Sequence, residues 1–127
     1  MSSQVVIWLD HQEAQFLHLH EQEYTASHVK AHRHNTRQHA SGVRTEHEFF
    51  AAVCQAIGAG VEVLVAGSHT ALADFKHYVE KHSPATGPRI AGWQTSERLT
   101  EGQLAAMGRH FFEKHDRMAG RAVGVAE

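Results

Sequence analysis

Residues 61–79 read VEVLVAGSHTALADFKHYV, and this stretch decides the fold class. Its first part, Val61–Ala66, is a short and strongly apolar run, which is typical of a strand buried on both faces of a sheet. A glycine and Ser68 end the run, and apolar residues then recur at helical spacing. A buried strand followed at once by an amphipathic helix predicts an α/β protein whose sheet has a parallel part. The apolar stripe of the helix comprises Leu72, Phe75, Tyr78 and Val79.

Three strand patterns precede this stretch. Val5–Leu9 is a β-branched and aromatic run, residues 14–20 alternate in polarity, and Tyr24–Lys30 forms a third, more polar strand. The turns between them are short, so the pattern predicts an antiparallel meander. The alternation in the second strand places Leu17 and Leu19 on one face and predicts that this strand is half-buried.

Two further helices and one strand complete the pattern. Thr45 and Glu48 have the spacing of a capping box, which predicts that a helix begins there. Arg89–Trp93 is a short strand, and Thr100 and Gln103 form a second capping box before the last helix. The predicted buried faces are Phe49, Phe50, Val53, Cys54 and Ile57 in the first of these helices and Leu104, Met107, Phe111 and Phe112 in the last.

The predicted element order is therefore βββαβαβα. It corresponds to a ribonuclease H-like fold of the α/β class, with a mixed five-stranded sheet and helices flanking the sheet. The chain has 127 residues, which suits a single domain, and we place this domain at residues 1–116. Residues 117–127 have little to bury and are expected to form a flexible C-terminal tail.

The composition excludes several classes of protein. Lys and Arg number 12 and Asp and Glu 14, so the net charge of −2 lacks the excess of basic residues found in typical nucleic-acid-binding domains. A single cysteine excludes a disulfide within the chain. The sequence has no apolar run of membrane-spanning length and no basic segment of a signal peptide, so we expect a cytoplasmic protein without a membrane partner.

A basic, histidine-rich segment at residues 28–44 stands out. It contains four Lys or Arg residues and no acidic residue, which gives it a formal charge of +4 in a chain of net charge −2. Such a segment attracts phosphate groups, and its histidine and arginine side chains can stack on unpaired bases. We interpret it as a loop that binds structured RNA; a solvated loop without a ligand is the alternative. The predicted RNA-binding residues are Lys30, His32, Arg33, His34, Arg37, Gln38, His39 and Arg44.

The sequence predicts no metal site and no cofactor. Asp10 ends the first strand, where a two-metal nuclease would hold a carboxylate, but no acidic residues follow at the ends of the neighbouring strands. Two histidine pairs, His18 with His20 and His32 with His34, have a spacing that can bind a metal ion. They lack the four-ligand signature of a structural zinc site.

The sequence predicts no catalytic residue either. Cys54 falls on the apolar face of a helix and is interpreted as an inert core thiol. Ser68 precedes a helix, where it is expected to act as the N-cap. Asp10 is expected to cap or solvate the first turn.

Three segments resemble a group of small bacterial translational machinery proteins. They are VVIWLDHQEAQFLHL (5–19), VEVLVAGSHTALADFKHYV (61–79) and GWQTSERLTEGQLAAMGRHFF (92–112), and the resemblance covers most of the chain. These proteins are stand-alone relatives of the middle domain of archaeal and eukaryotic peptide-chain release factors and of related ribosome-rescue factors. The resemblance implies a ribonuclease H-like fold and a ribosome, ribosomal RNA or tRNA as partner.

The resemblance also shows a departure from the family's pattern. Release factors of this type carry a Gly-Gly-Gln tripeptide on the loop between the third strand and the first helix, and its glutamine helps water attack peptidyl-tRNA. The matching segment here reads HRHNTRQHASG, in which Gln38 follows Arg37 and Gly42 stands alone. We therefore expect a non-enzymatic translation factor. A hydrolytic enzyme of the same fold (a nuclease or a peptidyl-tRNA hydrolase) and a histidine-loop metal-binding or protein-interaction module are the alternatives.

Overall fold

The computed structural model describes residues 3–31 and 41–124, with side chains for 3–31 and 46–118. The observed order of elements confirms the predicted βββαβαβα pattern. The elements are β1 (Ser3–Leu9), β2 (Glu13–Leu19), β3 (Tyr24–Lys30), α1 (Ser41–Ile57), β4 (Val61–Gly67), α2 (His69–His82), a short 3-10 turn (Gly87–Arg89), β5 (Ile90–Thr95) and α3 (Glu101–Gly124).

The five strands form one mixed sheet in the order β3-β2-β1-β4-β5. β1 pairs antiparallel with β2, and β2 pairs antiparallel with β3, which confirms the predicted meander. β4 pairs in parallel with β1 and with β5, as expected of strands that alternate with helices. The most apolar strands, β1 and β4, therefore occupy the centre of the sheet.

Helices cover both faces of the sheet. α1 and α2 pack on one face against Val5, Ile7 and Leu9, whereas α3 packs on the other face against Val6 and Trp8. Successive side chains of a strand point to opposite faces, so β1 contributes to both cores. Apart from Tyr78, Met107 and Phe111, which are half-buried, the residues on the predicted helix faces are buried.

The prediction that β2 is half-buried is wrong. Gln15, Phe16 and Leu17 are all buried, on alternating faces of the strand. β2 lies one position in from the edge of the sheet, so both helical layers extend over it. Polarity along a single strand carries no information about how far the opposite layer reaches.

β3 is the exposed edge strand, and six of its seven residues are exposed. Arg109 of α3 fixes the turn that leads into it. Its Nη1 donates to the carbonyl oxygens of His20 at 2.7 Å and Glu21 at 3.1 Å, and its Nη2 donates to that of Glu23 at 2.7 Å. The helix on one face of the sheet thus holds the β2–β3 turn.

Of the two predicted capping boxes, the one at the start of α3 is present in the structure and the one assigned to the start of α1 is not. The second capping box is confirmed, because the Gln103 amide donates to Thr100 Oγ1 at 3.2 Å and the Thr100 amide donates to Gln103 Oε1 at 3.0 Å. The first is wrong, because α1 begins at Ser41 and Thr45 lies inside the helix. The four residues from Ser41 onward contain no proline, so nothing in them stops the helix from extending toward its N-terminus.

α3 also extends further than expected. Its backbone is helical to Gly124, whereas the sequence analysis places a tail from residue 117 onward. Five of the eight residues in segment 117–124 are alanine, arginine or methionine, which have high helix propensity and can continue a helix already formed, although the segment also contains two glycines. The domain boundary at residue 116 stays a prediction.

Candidate functional site

The two ends of the predicted RNA-binding segment, residues 28–44, belong to regular secondary structure rather than to a loop. Residues 28–30 belong to β3 and residues 41–44 belong to α1, so Arg44 lies in a helix rather than in a loop. β3 pairs with β2 along its whole length, and its bounds, Tyr24–Lys30, are those predicted for the third strand. Lys30 is the last residue of β3. Outside the described residues lie His32, Arg33, His34, Arg37, Gln38 and His39.

The start of this segment lies at one corner of the molecule. The Ala31 amide donates to the Gln12 carbonyl oxygen at 2.8 Å, which ties the end of β3 to the β1–β2 turn. Lys30 lines a pocket together with Phe49 and Ala52 of α1. The corner is therefore built from the β1–β2 turn, the end of β3 and the middle of α1.

Asp10 closes the β1–β2 turn. Its Oδ1 accepts hydrogen bonds from the amides of Gln12 at 2.7 Å and Glu13 at 2.8 Å, and its own amide donates to the Glu13 carbonyl oxygen at 3.0 Å. This is the turn-forming behaviour typical of aspartate after a strand. The structural interpretation of Asp10 is confirmed.

Arg98 adds a positive charge to the corner that the sequence analysis did not anticipate. Its guanidinium forms an ion pair with Glu13 and lies 5.2 Å from the centre of the Trp8 ring, a cation–π distance. Arg98 also shares a cavity of about 340 Å³ with Lys30. It lies far from Lys30 along the chain, so only the tertiary fold brings these two cations to the same place.

Three potential metal ligands converge beside the same turn. His11 comes from the β1–β2 turn, Glu46 from α1 and Asp74 from α2, and their ligand atoms all lie within 4.8 Å of one another. His11 Nε2 and Asp74 Oδ2 are 2.8 Å apart. Among the side chains that the structure describes, this is the one group of three or more such ligands that comes together. The three residues share no local spacing, so no sequence pattern predicts their convergence.

The seam between α1 and α2 continues from this group as a cluster of rings. Tyr78 lies 4.9 Å from His82 and 5.6 Å from His47, measured between ring centres. Burial raises the pKa of the Tyr78 hydroxyl, and the nearby Cys54 raises it further. The seam encloses a cavity of about 160 Å³ lined by Glu46, His47, Phe50, Asp74, His77, Tyr78, Lys81 and His82.

The remaining candidates have structural roles. Cys54 is buried, and burial raises the pKa of its thiol above the ordinary value, as expected of an inert core cysteine. Ser68 occupies the N-cap position of α2, although its side chain forms no capping hydrogen bond. His20 Nε2 contacts Thr25 Oγ1 at 3.0 Å across the β2–β3 pair.

The mixed sheet with its two helical layers occurs in known structures. The chain matches part of the Archaeoglobus fulgidus Pelota structure over 98% of its own length, with a TM-score of 0.68 and 15% sequence identity. The fold is that of a part of Pelota. Thermoplasma acidophilum Pelota matches with a TM-score of 0.58, 17% identity and 80% coverage of this chain. The archaeal translation termination factor aRF1 matches with a TM-score of 0.54, 14% identity and 96% coverage.

The chain corresponds to only part of each of these proteins. It covers 37% and 30% of the two Pelota chains and 42% of the aRF1 chain. No protein-family model matches the sequence, and no curated protein matches it either. The fold expectation carried by the family resemblance is confirmed. None of the described helices is long and apolar enough to cross a membrane.

Proposed function

We propose that the protein is a non-enzymatic translation factor that contacts the ribosome or structured RNA through its basic segment. One observation carries the proposal: the segment joins β3 to α1 within a fold that is shared with Pelota and a translation termination factor. The resemblance described above places the functional loop of release factors between the same two elements. The partner is ribosomal RNA or tRNA within the ribosome.

The charges at the corner support this proposal. Arg33 and Arg37 lie in the connection between β3 and α1, which contains no acidic residue. Lys30 stands at its start, and Arg98 stands nearby with part of its charge neutralised by Glu13. Lys30 and Arg98 share their pocket with the carboxylates of Asp10 and Glu13, so the attraction of phosphate groups rests mainly on Arg33 and Arg37. Such attraction does not require a net basic chain, because it depends on the local potential.

The non-enzymatic part of the proposal rests on the residues that could have carried chemistry. The sequence contains no Gly-Gly-Gln tripeptide. One carboxylate oxygen of Asp10 already accepts two backbone hydrogen bonds, and the thiol of Cys54 is buried in the core. These groups stabilise the fold rather than act on a substrate.

Sucrose-gradient sedimentation of cell extracts tests the proposal. The protein is expected to sediment with ribosomal particles in at least one of growth, stress and stationary phase. Arg33→Ala with Arg37→Ala should return it to the top of the gradient. Lys76→Ala with Lys114→Ala removes the same charge from exposed positions on α2 and α3 and should leave sedimentation unchanged. A protein that stays at the top in all three conditions would contradict the proposal.

The salt dependence of RNA binding tests the electrostatic part. Four fixed cations, Lys30, Arg33, Arg37 and Arg44, limit the slope of log affinity against log salt to a magnitude of about 3–4, since each phosphate contact contributes about 0.7–0.9. The double substitution of Arg33 and Arg37 should lower this magnitude by at most about 2. An RNA affinity that is independent of salt would exclude a phosphate-binding segment.

Incubation with labelled RNA, duplex DNA and peptidyl-tRNA in Mg²⁺ or Mn²⁺ tests the enzymatic alternative. We expect no turnover of any of the three substrates. Metal-dependent turnover that is abolished by Asp10→Asn would replace our proposal with an enzymatic function. Asparagine keeps the Oδ1 acceptor of the turn, so this variant should retain its fold.

A further inference from the structure

We propose that His11, Glu46 and Asp74 form a binding site for a divalent transition-metal ion, with zinc as the best-fitting ion. The site lies where the β1–β2 turn meets α1 and α2. One imidazole nitrogen and two carboxylate oxygens make up the donor set. The proposal does not depend on ribosome binding, and each can fail without the other.

The separations between the ligand atoms suit one bound ion. Metal bonds of about 2.0–2.2 Å to nitrogen and oxygen place the ligand atoms of a tetrahedral site about 3.4 Å apart. The His11 Nε2 to Asp74 Oδ2 distance is 2.8 Å, and all three ligand atoms lie within 4.8 Å of one another. Metal entry therefore requires the closest pair to open by about 0.6 Å, which side-chain torsions can supply.

The three ligands stand on a framework that is already fixed. The turn that carries His11 is closed by the two hydrogen bonds to Asp10 Oδ1. α1 and α2 are joined by an edge-to-face contact between Phe50 and Phe75, whose ring centres lie 5.3 Å apart. Rigid supporting elements reduce the entropy lost when an ion is bound.

A hydrogen bond between His11 and Asp74 explains only part of this arrangement. That pair joins the turn to α2 without any need for Glu46, which brings a second carboxylate to the same point. Two carboxylates so close together repel one another unless a cation lies between them. Lys81 lines the same cavity as Glu46 and Asp74, so its ammonium group would compete with a metal ion for these oxygens.

The donor set also indicates which ions to test. An imidazole among the ligands favours zinc, cobalt or nickel over magnesium and calcium, which take oxygen ligands. Affinity should follow the usual order of divalent metals, so zinc binds more tightly than manganese. Three protein ligands leave a coordination position free, which is the arrangement of a zinc site with an exchangeable fourth ligand.

Titration calorimetry of the full-length chain with Zn²⁺ tests the proposal. The starting protein carries alanine at His32, His34 and His39 (the loop-histidine variant), which removes one of the two histidine pairs that could capture a metal. The other pair, His18 and His20, is common to every variant compared. It is expected to bind one zinc ion per chain. His11→Ala or Asp74→Asn added to this variant should each weaken zinc binding by at least about tenfold.

Matched controls separate the site from surface binding. His110→Ala on α3 and Glu80→Gln on α2 change the same residue types at positions outside the group and should leave the zinc affinity unchanged. Lys81→Gln should raise the zinc affinity, because it removes a competing positive charge. The absence of zinc uptake by the loop-histidine variant, or uptake that is insensitive to His11→Ala, would overturn the proposal.

Thermal melting distinguishes a metal site from a purely structural pair. Zinc should raise the melting temperature of the loop-histidine variant, relative to the same protein in EDTA, because an ion that binds only the native state stabilises it. Zinc should not raise the melting temperature when Asp74→Asn or Glu46→Gln is added. An unchanged zinc effect in both variants, with a lower melting temperature in EDTA, would show an ion pair only and would overturn the metal site.

Discussion

The two faces of the sheet are closed in different ways. Two helices, α1 and α2, cover one face, and their aromatic side chains meet in the middle of it. A single helix, α3, covers the other face and lies close to β1, because Gly108 has no side chain to separate them. A two-helix layer leaves a seam into which polar side chains of several elements can point. The seam holds the His11, Glu46 and Asp74 group, whereas within residues 3–31 and 41–124 no second helix lies beside α3 to form such a seam.

Truncation of the core aromatics should show that both faces contribute to stability. Phe75→Ala on the α1–α2 face and Phe112→Ala on the α3 face should each lower the free energy of unfolding by about 3–5 kcal/mol. Met118→Ala, at a side chain that is 62% exposed, should change it by less than about 0.5 kcal/mol. Urea denaturation measures all three. A loss at only one of the two aromatic positions would show that one face alone stabilises the fold.

Glycine substitutions in α3 test how closely that helix packs. A Cβ added at Gly108 would lie 2.8 Å from Val6 Cβ, so Gly108→Ala should destabilise the protein by about 1–3 kcal/mol. Gly102 belongs to the same helix and has nothing within 4 Å of such a Cβ. Gly102→Ala should therefore stabilise the protein by up to about 1 kcal/mol. Equal effects at the two positions would contradict the close approach of α3 to β1.

Replacing the threonine of each capping box by alanine should change the stability of the protein in opposite directions. Thr100→Ala removes an observed capping hydrogen bond and should cost about 1 kcal/mol. Thr45→Ala replaces a residue inside α1 with one of higher helix propensity and should raise stability by a few tenths of a kcal/mol, about 0.5 at most. Thermal melting of the two variants provides the comparison. A loss of stability in Thr45→Ala as large as that in Thr100→Ala would mean that α1 starts at Thr45 after all.

The smallest expected effect concerns Cys54 at alkaline pH. Burial raises its pKa above the ordinary value of 9.0, so the folded protein holds the thiol proton more tightly than the unfolded chain does. Its contribution to stability is therefore complete below the unfolded pKa and is lost as the pH rises above about 9. Unfolding free energies measured from pH 7 to 10 should decline less in Cys54→Ala than in the parent. An identical decline in the unfolding free energy of the two proteins would contradict a raised pKa of the Cys54 thiol.

Sequence patterns over a few residues predicted those elements that are stabilised by the same few residues. The continuous apolar composition of Val61–Ala66 indicates that this strand is buried. The capping box at Thr100 and Gln103 includes both residues that form its hydrogen bonds. The box at Thr45 has the same general form, with Glu48 in the place of Gln103, but α1 begins further upstream, at Ser41. A cap pattern therefore marks the start of a helix only where the fold holds the preceding residues out of a helix, as the hydrogen bond from the Ser96 amide to the Gly67 carbonyl oxygen does ahead of Thr100.

One candidate site could be predicted from charge along the chain, whereas the other is visible only in the tertiary structure. Charge patterning alone singled out the basic segment, because Lys30, Arg33 and Arg37 are close along the chain and no acidic residue lies among them. No such pattern could reveal Arg98 beside Lys30, or the convergence of ligands from the β1–β2 turn and two helices. Those residues are separated by whole elements of structure.

By itself, the sequence determined the order of strands and helices, the faces that the helices bury and the position of the basic segment. Each of these follows from side-chain periodicity or charge over a few consecutive residues. Only the tertiary structure decided that β2 is buried on both faces and that His11, Glu46 and Asp74 meet. These outcomes arise when the sheet and helices pack together, because packing brings distant parts of the chain to within a few ångströms of one another.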